Sequence, residues 1–461
     1  MTTVQEVSRN PRPSPGAPRE YHFPRFERRN LGNGMQLVVA RVPKLPLATV
    51  VVLIDGGAVC DPEGSEGTAQ LAAKMLLEGT ERYNGAELAE RFETLGASIE
   101  AGADWDAAAI TMTTLVEHLS DAFALLGEVV LSPAFSAREL ERLKAERLAE
   151  LLQLRAEPRG LADELFTKFL YTPGSRYARS EGGDESSVER IDRDAIVNFY
   201  QTRYLAGGTT IIVAGDVTTD RAEALVKQAF GKWEGRAPAR VLADTRPART
   251  DRAVHLVVKS DAPQSELRIG HVGIPRNHPD FFPVNVMNAL LGGLFNSRIN
   301  LNLREAHAYT YGAFSGFEWR RQAGPFVIHT AVKSDITDAA ARETLFEVDR
   351  IRTEPVTPDE LSLATSYLTG VFPIRFETTT AIAAALSVLT LHGLPEDYYD
   401  RYRDNVAAIT GEKVLAAAKQ HLDPSALQMV VVGDPNIVRA PLEAMQFGPV
   451  LLYDTQGRPL A

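Results

Sequence analysis

Thr209-Thr210-Ile211-Ile212-Val213-Ala214-Gly215-Asp216 and Leu427-Gln428-Met429-Val430-Val431-Val432-Gly433-Asp434 are two versions of one pattern. Each is an apolar run of strand length closed by Gly-Asp, and each follows a helix-forming stretch. Upstream, Leu131-Ser132-Pro133-Ala134-Phe135-Ser136-Ala137-Arg138-Glu139-Leu140 is similar to Thr353-Glu354-Pro355-Val356-Thr357-Pro358-Asp359-Glu360-Leu361. Both pairs recur after about 220 residues, so the chain reads as two copies of one folding unit.

A duplicated plan agrees with the length: 461 residues exceed what one ordinary core accommodates. Between the copies, Gly235 to Arg252 holds Pro238, Pro247 and many Arg and Ala residues with little apolar periodicity, the composition of an exposed linker. The expected organisation is a flexible arm over 1–25, a first domain over 26–235, a linker over 236–252, a second domain over 253–450 and a tail over 451–461. Strands are expected at Gln36 to Val42, Ala48 to Ile54 and Ala107 to Thr114. Helices are expected at Gly67 to Glu78, Asn84 to Thr94, Leu115 to Val130 and Ala137 to Arg155. Paired strands with helices grouped between them predict an α+β fold, a mostly antiparallel sheet in each copy with helices packed on one face.

A hydrophobic share of 44% and a charged share of 24% suit a globular chain with a substantial core. A net charge of −11 argues against a surface built for phosphates, so nucleic acid is not an expected partner. Cys60 is the only cysteine and reads as a small apolar residue. The first 25 residues are polar and carry Pro11, Pro13, Pro15 and Pro18, without the apolar run of a signal peptide. Apolar stretches such as Leu47 to Ile54 are too short to span a bilayer, so no membrane association and a cytoplasmic location are expected.

The stretch Gly56-Gly57-Ala58-Val59-Cys60-Asp61-Pro62-Glu63-Gly64-Ser65-Glu66-Gly67-Thr68-Ala69-Gln70-Leu71-Ala72-Ala73-Lys74-Met75-Leu76-Leu77-Glu78-Gly79-Thr80 resembles the signature region of the inverted-motif zinc peptidases. That is the family of pitrilysin, insulin-degrading enzyme and the mitochondrial processing peptidase. The resemblance runs from about Arg28 to Asp434 and implies two domains of the LuxS/processing-peptidase-like metallohydrolase type. In the family, a Gly- and Pro-containing turn leads into a helix bearing H-x-x-E-H. Residues at i, i+3 and i+4 share one helix face, so two imidazoles can hold one zinc while the carboxylate between them acts on bound water.

Here the matching positions are Gln70, Ala73 and Lys74. An amide is a poor zinc ligand, alanine accepts no proton, and an ammonium repels the cation. Glu150 stands near the position of the family's third, carboxylate ligand and lacks the two imidazoles. The helix is expected to survive for packing through Leu71 and Met75, with Glu150 on a polar face. No metal is expected in this chain. The nine histidines include no helical i, i+4 pair, and His271 and His278 are separated by a Pro-containing loop.

In the second copy, Asn288-Ala289-Leu290-Leu291-Gly292-Gly293-Leu294-Phe295-Asn296-Ser297-Arg298-Ile299, followed by Leu303-Arg304-Glu305-Ala306-His307-Ala308-Tyr309-Thr310-Tyr311, is similar to the family's C-terminal pattern. By that resemblance Arg304 and Tyr311 match an Arg and Tyr that grip the substrate backbone and hold the oxygen of the carbonyl under attack. A charged fork and a phenol can both donate to a developing oxyanion. Gly292-Gly293 is not a phosphate loop, because no Gly-Lys-Ser or Gly-Lys-Thr follows.

One half of the family's machinery is missing and the other is present. The resemblance therefore implies a non-catalytic, substrate-binding subunit that completes the active site of a homologous, zinc-bearing partner for proteolysis of unstructured peptides. The zinc would belong to the partner. A structural scaffold related to respiratory-complex core proteins is the alternative, and an independent peptidase is a third reading for which no triad or cysteine motif is legible.

Overall fold

Each quoted apolar run becomes a central strand in the computed structural model, which describes residues 20–460. The first half contributes β1 (Phe26–Asn30), β2 (Gln36–Arg41), β3 (Leu47–Ile54), β4 (Ser98–Ala103), β5 (Ala108–Leu115) and β6 (Thr209–Gly215). They form one sheet in the order β1-β2-β6-β3-β5-β4, in which β2 and β6 are parallel and every other pair antiparallel. The second half contributes β7 (Ala253–Val258), β8 (Gln264–Val272), β9 (Ala313–Phe317), β10 (Pro325–Lys333), β11 (Gln428–Gly433) and β12 (Val450–Tyr453). Their order is β12-β7-β11-β8-β10-β9. The repeat is thus visible as topology: β2, β3, β4, β5 and β6 correspond to β7, β8, β9, β10 and β11. The sixth strand differs, since β1 joins antiparallel and β12 parallel.

Every residue of β6 and β11 is buried, which requires cover on both faces of each sheet. A half's own helices cover one face; the other face is covered by a helix from the opposite half. Pro158–Leu170 packs on β8 and β11, and Thr379–Leu391 packs on β3 and β6. Each copy keeps its own helices on one face as expected, and the cover of the second face comes from the neighbouring half, a burial not encoded in the local pattern of either strand. Leu161, Leu165, Phe166 and Phe169 of the first crossing helix share a core with Val257, Val327, Val430 and Val432. At the second, hydroxyls meet: Thr49 Oγ1 lies 2.8 Å from Thr113 Oγ1 and 2.9 Å from Thr379 Oγ1.

The expected arm, linker and tail are packed where the structure describes them. Residues 1–19 lie outside the described residues, but of the expected arm Phe23 is buried, stacks on Tyr399 at 4.7 Å and donates its backbone N–H to Asp400. The expected linker runs along the end of the first crossing helix: Thr172 N–H donates to Arg246 O, Ala248 N–H to Leu170 O, and Ser175 Oγ to Asp244 O. The expected tail supplies β12, with Tyr453 against Phe169. Polar composition predicts a loose arm and an exposed linker, whereas one or two aromatic anchors and backbone hydrogen bonds suffice to seat an extended segment. Leu115 closes β5, and the following helix begins only at Leu119.

Because the cores interlock, truncating one crossing helix weakens both halves together. Leu165→Ala should cost about 2–5 kcal/mol. Urea unfolding followed by circular dichroism should show one transition shifted to lower urea, rather than a new early phase for one half.

Candidate functional site

The helix Thr68–Met75 begins at Gly67, whose φ of 99° lies in the left-handed region. A glycine has no side chain with which to cap, so Asp61 substitutes from the preceding turn. Its carboxylate accepts the N–H groups of Gly67 at 2.8 Å and Ala69 at 2.7 Å, and pairs with Arg176 at 2.8 Å. A Cβ on Gly67 would stand 2.6 Å from Gly182 O, and one on Gly183 (φ 76°) 2.1 Å from Glu66 O. The two glycine-containing loops therefore press backbone to backbone.

At that contact the degenerate motif can be read side chain by side chain. Leu71 and Met75 are buried in the first-half core, and Ala73 is also buried. A Cβ on Gly182 would lie 2.5 Å from Gln70 Oε1 and 2.9 Å from an Arg147 terminal nitrogen, so these groups converge on one backbone point. Arg147 donates to Gly182 O at 3.1 Å and Gly183 O at 3.3 Å, and pairs with Glu150 at 3.1 Å. Lys74 is exposed and has no ion-pair partner among the described residues. An amide, a methyl, an ammonium and a carboxylate already held by a guanidinium do not fit a zinc ion.

Beside this contact the second half inserts Trp319-Arg320-Arg321 into the first. The Arg320 guanidinium lies 4.4 Å over the Trp105 ring and 4.5 Å over Tyr177, and pairs with Glu318. Arg321 donates its backbone N–H to Asp106 at 2.8 Å and pairs with Asp55. Glu181, next to Gly182, borders this cluster. Burial, reinforced by Asp104, pushes its carboxyl up to about 7 against the pull of Arg320 and Arg176. Sequence reading missed Glu181, because its environment is assembled from both halves.

The Arg and Tyr of the second half lie on the surface. Arg304 belongs to a wide helical turn, Leu301–Ala306, and lies 4.3 Å over the Phe295 ring with 33% of its side chain exposed. Ala308, at φ 54°, closes that turn in the left-handed region. Tyr311 follows just before β9 and is 95% exposed. Phe295 and Phe314 are also exposed, and a Cβ on Gly312 would touch the Phe314 ring at 3.1 Å. No hydrogen bond or ion pair joins Arg304 to Tyr311 among the described residues. Gly292 allows its segment to lie on β9, since a Cβ there would meet Ser315 Oγ at 2.5 Å. The structure also gathers His278, Asp280 and His421, with potential ligand atoms within 4.8 Å of one another. No spacing signal could have shown that grouping, because His421 comes from a remote helix end.

Two family models cover most of the chain: Insulinase (Peptidase family M16) over residues 37–178 and Peptidase M16 inactive domain over residues 190–368. The chain belongs to peptidase family M16. Among M16 relatives, it is 21% identical to the uncharacterized zinc protease YmxG of Bacillus subtilis, over 76% of this chain and 84% of that one. It is 22% identical to a protein named non-peptidase homolog YmxG in Helicobacter pylori, over 85% and 90%. It is 24% identical to the probable mitochondrial-processing peptidase subunit beta of Arabidopsis thaliana, over 77% and 68%. The crystal structure of a peptidase M16 inactive domain from Pseudomonas fluorescens superposes with a TM-score of 0.84 at 26% identity, covering 89% of this chain and 98% of that one. A Helicobacter pylori protease shares the fold at a TM-score of 0.81 and 17% identity, over 89% and 100%.

The raised Glu181 carboxyl has a consequence for stability. Between the ordinary carboxylate pKa and about 7, the folded chain keeps a proton that the unfolded chain has released, so stability falls as pH rises through that window. Glu181→Gln removes the ionisation. It should be more stable than the parent by about 1–3 kcal/mol at pH 8 and show no such gain at pH 4.5, measured by urea unfolding at both pH values.

Proposed function

We propose that this M16 chain is a non-catalytic subunit that binds unstructured peptide and completes the active site of a separate, zinc-bearing M16 partner. The observation that carries the reading is the contrast between its two motif sites. The helix Thr68–Met75 presents Gln70, Ala73 and Lys74 where a metal would need ligands, while Arg304 and Tyr311 remain accessible beside exposed Phe295 and Phe314. An almost wholly exposed tyrosine among exposed phenylalanines is the composition of a surface that another surface covers. Family membership supports the reading, as does similarity to a protein named as a processing-peptidase subunit.

Peptide capture has a backbone basis as well. β4 is an edge strand adjoining the helix Thr68–Met75, and its outer N–H and C=O groups are available to an extended chain. In the assembled pair the partner's zinc would act as Lewis acid. This chain's contribution is two donors: the Tyr311 hydroxyl and the Arg304 guanidinium, both directed at oxygen that gains charge as the carbonyl becomes tetrahedral. Neither group is consumed, and Arg304 also binds substrate before reaction.

Co-expression with a zinc-bearing M16 homologue should give one species on size-exclusion chromatography, with peptidase activity above that of either chain. Separate elution with unchanged partner activity would reject the assembly. The isolated chain should not cleave unstructured peptides.

Within the pair, Tyr311→Phe should lower kcat about 10²–10³-fold. Arg304→Ala should lower kcat/KM with a larger KM component. Steady-state kinetics beside thermal melts distinguish this from a structural role, since Tyr311 faces solvent and Arg304 is partly exposed, so neither variant should melt much earlier. Full activity in both would favour a scaffold instead.

A further inference from the structure

The second half brings together three side chains that neither motif uses. His278 and Asp280 flank Pro279 just before the helix Phe281–Asn288, and His421 is the last residue of the helix Gly411–His421. These helices pack against each other, so chain ends remote in sequence meet at one corner. The ligand-type atoms of all three lie within 4.8 Å of one another. The two imidazoles stand edge to face with centroids 5.1 Å apart. Imidazoles bound to one tetrahedral ion at metal–nitrogen distances near 2 Å have centroids about 5 Å apart, so the observed spacing needs little adjustment.

The orientation of Asp280 is a second sign. It occupies the N-cap position of Phe281–Asn288, where an aspartate ordinarily accepts an N–H from its own helix, yet no such bond is made. Its carboxylate is turned instead to His421 Nε2, at 2.8 Å. His278 is held by the Asp280 N–H donating to its Nδ1 at 3.1 Å. His271 is not a further ligand: its Nδ1 is 2.8 Å from Val272 O and its Nε2 accepts the Asp423 N–H, so both nitrogens are engaged. The three groups are half-buried, which leaves room for water to complete a coordination shell.

We propose that His278, Asp280 and His421 form a binding site for one divalent transition-metal ion of the zinc class, with water in the remaining position. Two imidazoles and one carboxylate are a donor set such an ion accepts, whereas calcium and magnesium favour oxygen alone. Binding replaces the His421 Nε2–Asp280 hydrogen bond by coordinate bonds, with the Nε2 proton passing to the ring's Nδ1 or to solvent, and releases the Asp280 N–H from His278 Nδ1 to water. The ion would tie the end of Gly411–His421 to the start of Phe281–Asn288. That second helix continues into Ala289–Gly293, whose Gly292 lies against β9, so the ion braces the framework that carries Arg304 and Tyr311. The proposal is independent of the assembly with a partner and of the degenerate motif at Gln70 and Lys74.

The test is equilibrium dialysis of the chelator-stripped full chain against zinc at neutral pH, followed by metal analysis, for the parent, His278→Ala, His421→Ala and Asp280→Asn. The parent should bind one zinc per chain, and each variant at least tenfold more weakly. Gln70→Ala with Lys74→Ala should bind as the parent does. Saturating zinc should raise the parent's melting temperature by about 2–5 °C and leave the histidine variants unmoved. Circular dichroism verifies that each variant is folded, and His421→Gln, which retains polarity and approximate size, replaces any that is not. No uptake by the parent, or less than tenfold weakening in folded histidine variants, would overturn the site.

Discussion

Reciprocal burial of one helix from each half against the other half's sheet is the constraint on which the rest of this structure depends. β6 and β11 are buried along their whole length, so water is excluded from both faces of each. Thr379–Leu391 and Pro158–Leu170 do this crosswise, and each buried Leu or Phe on them contributes about 2 kcal/mol relative to exposure. Neither half retains a complete core without its neighbour. The same crossing seats Phe23, the 236–252 segment and β12, and it fixes how Trp319-Arg320-Arg321 enters the first half.

A consequence appears at the helix Thr68–Met75. The geometry that could present two imidazoles and a carboxylate on one face is intact: a left-handed glycine start, a capping aspartate and a glycine loop pressed on the first turn. The chemistry on it has the opposite sign. Lys74 contributes an ammonium, and Arg147 spans from the Gly182 and Gly183 carbonyls to Glu150, compensating that carboxylate. The framework is retained while the side chains on it do not suit a metal ion, and the adjoining edge strand keeps its capacity to pair with an extended chain.

The second half follows the opposite course. Gly292 lies against β9, Ala308 adopts a left-handed conformation to end the turn after Arg304, and Tyr311 is left projecting into solvent. A non-glycine residue in the left-handed region and an uncovered aromatic patch are both unfavourable in an isolated chain.

Much of this was legible in the sequence. The two apolar Gly-Asp strands, recurring after about 220 residues, determined a duplicated α+β architecture because strand formation by a continuous apolar run is a local matter. The residue types at Gln70, Ala73 and Lys74 were also a local matter, since i, i+3 and i+4 share a helix face whatever surrounds them. What depended on distant packing was not legible: helices on both sheet faces, the order in segments of polar composition, the raised carboxyl of Glu181 and the meeting of His278, Asp280 and His421. Each arises where residues far apart in the chain come within a few ångströms, and only burial in the assembled fold sets the dielectric and the partners that give such groups their properties.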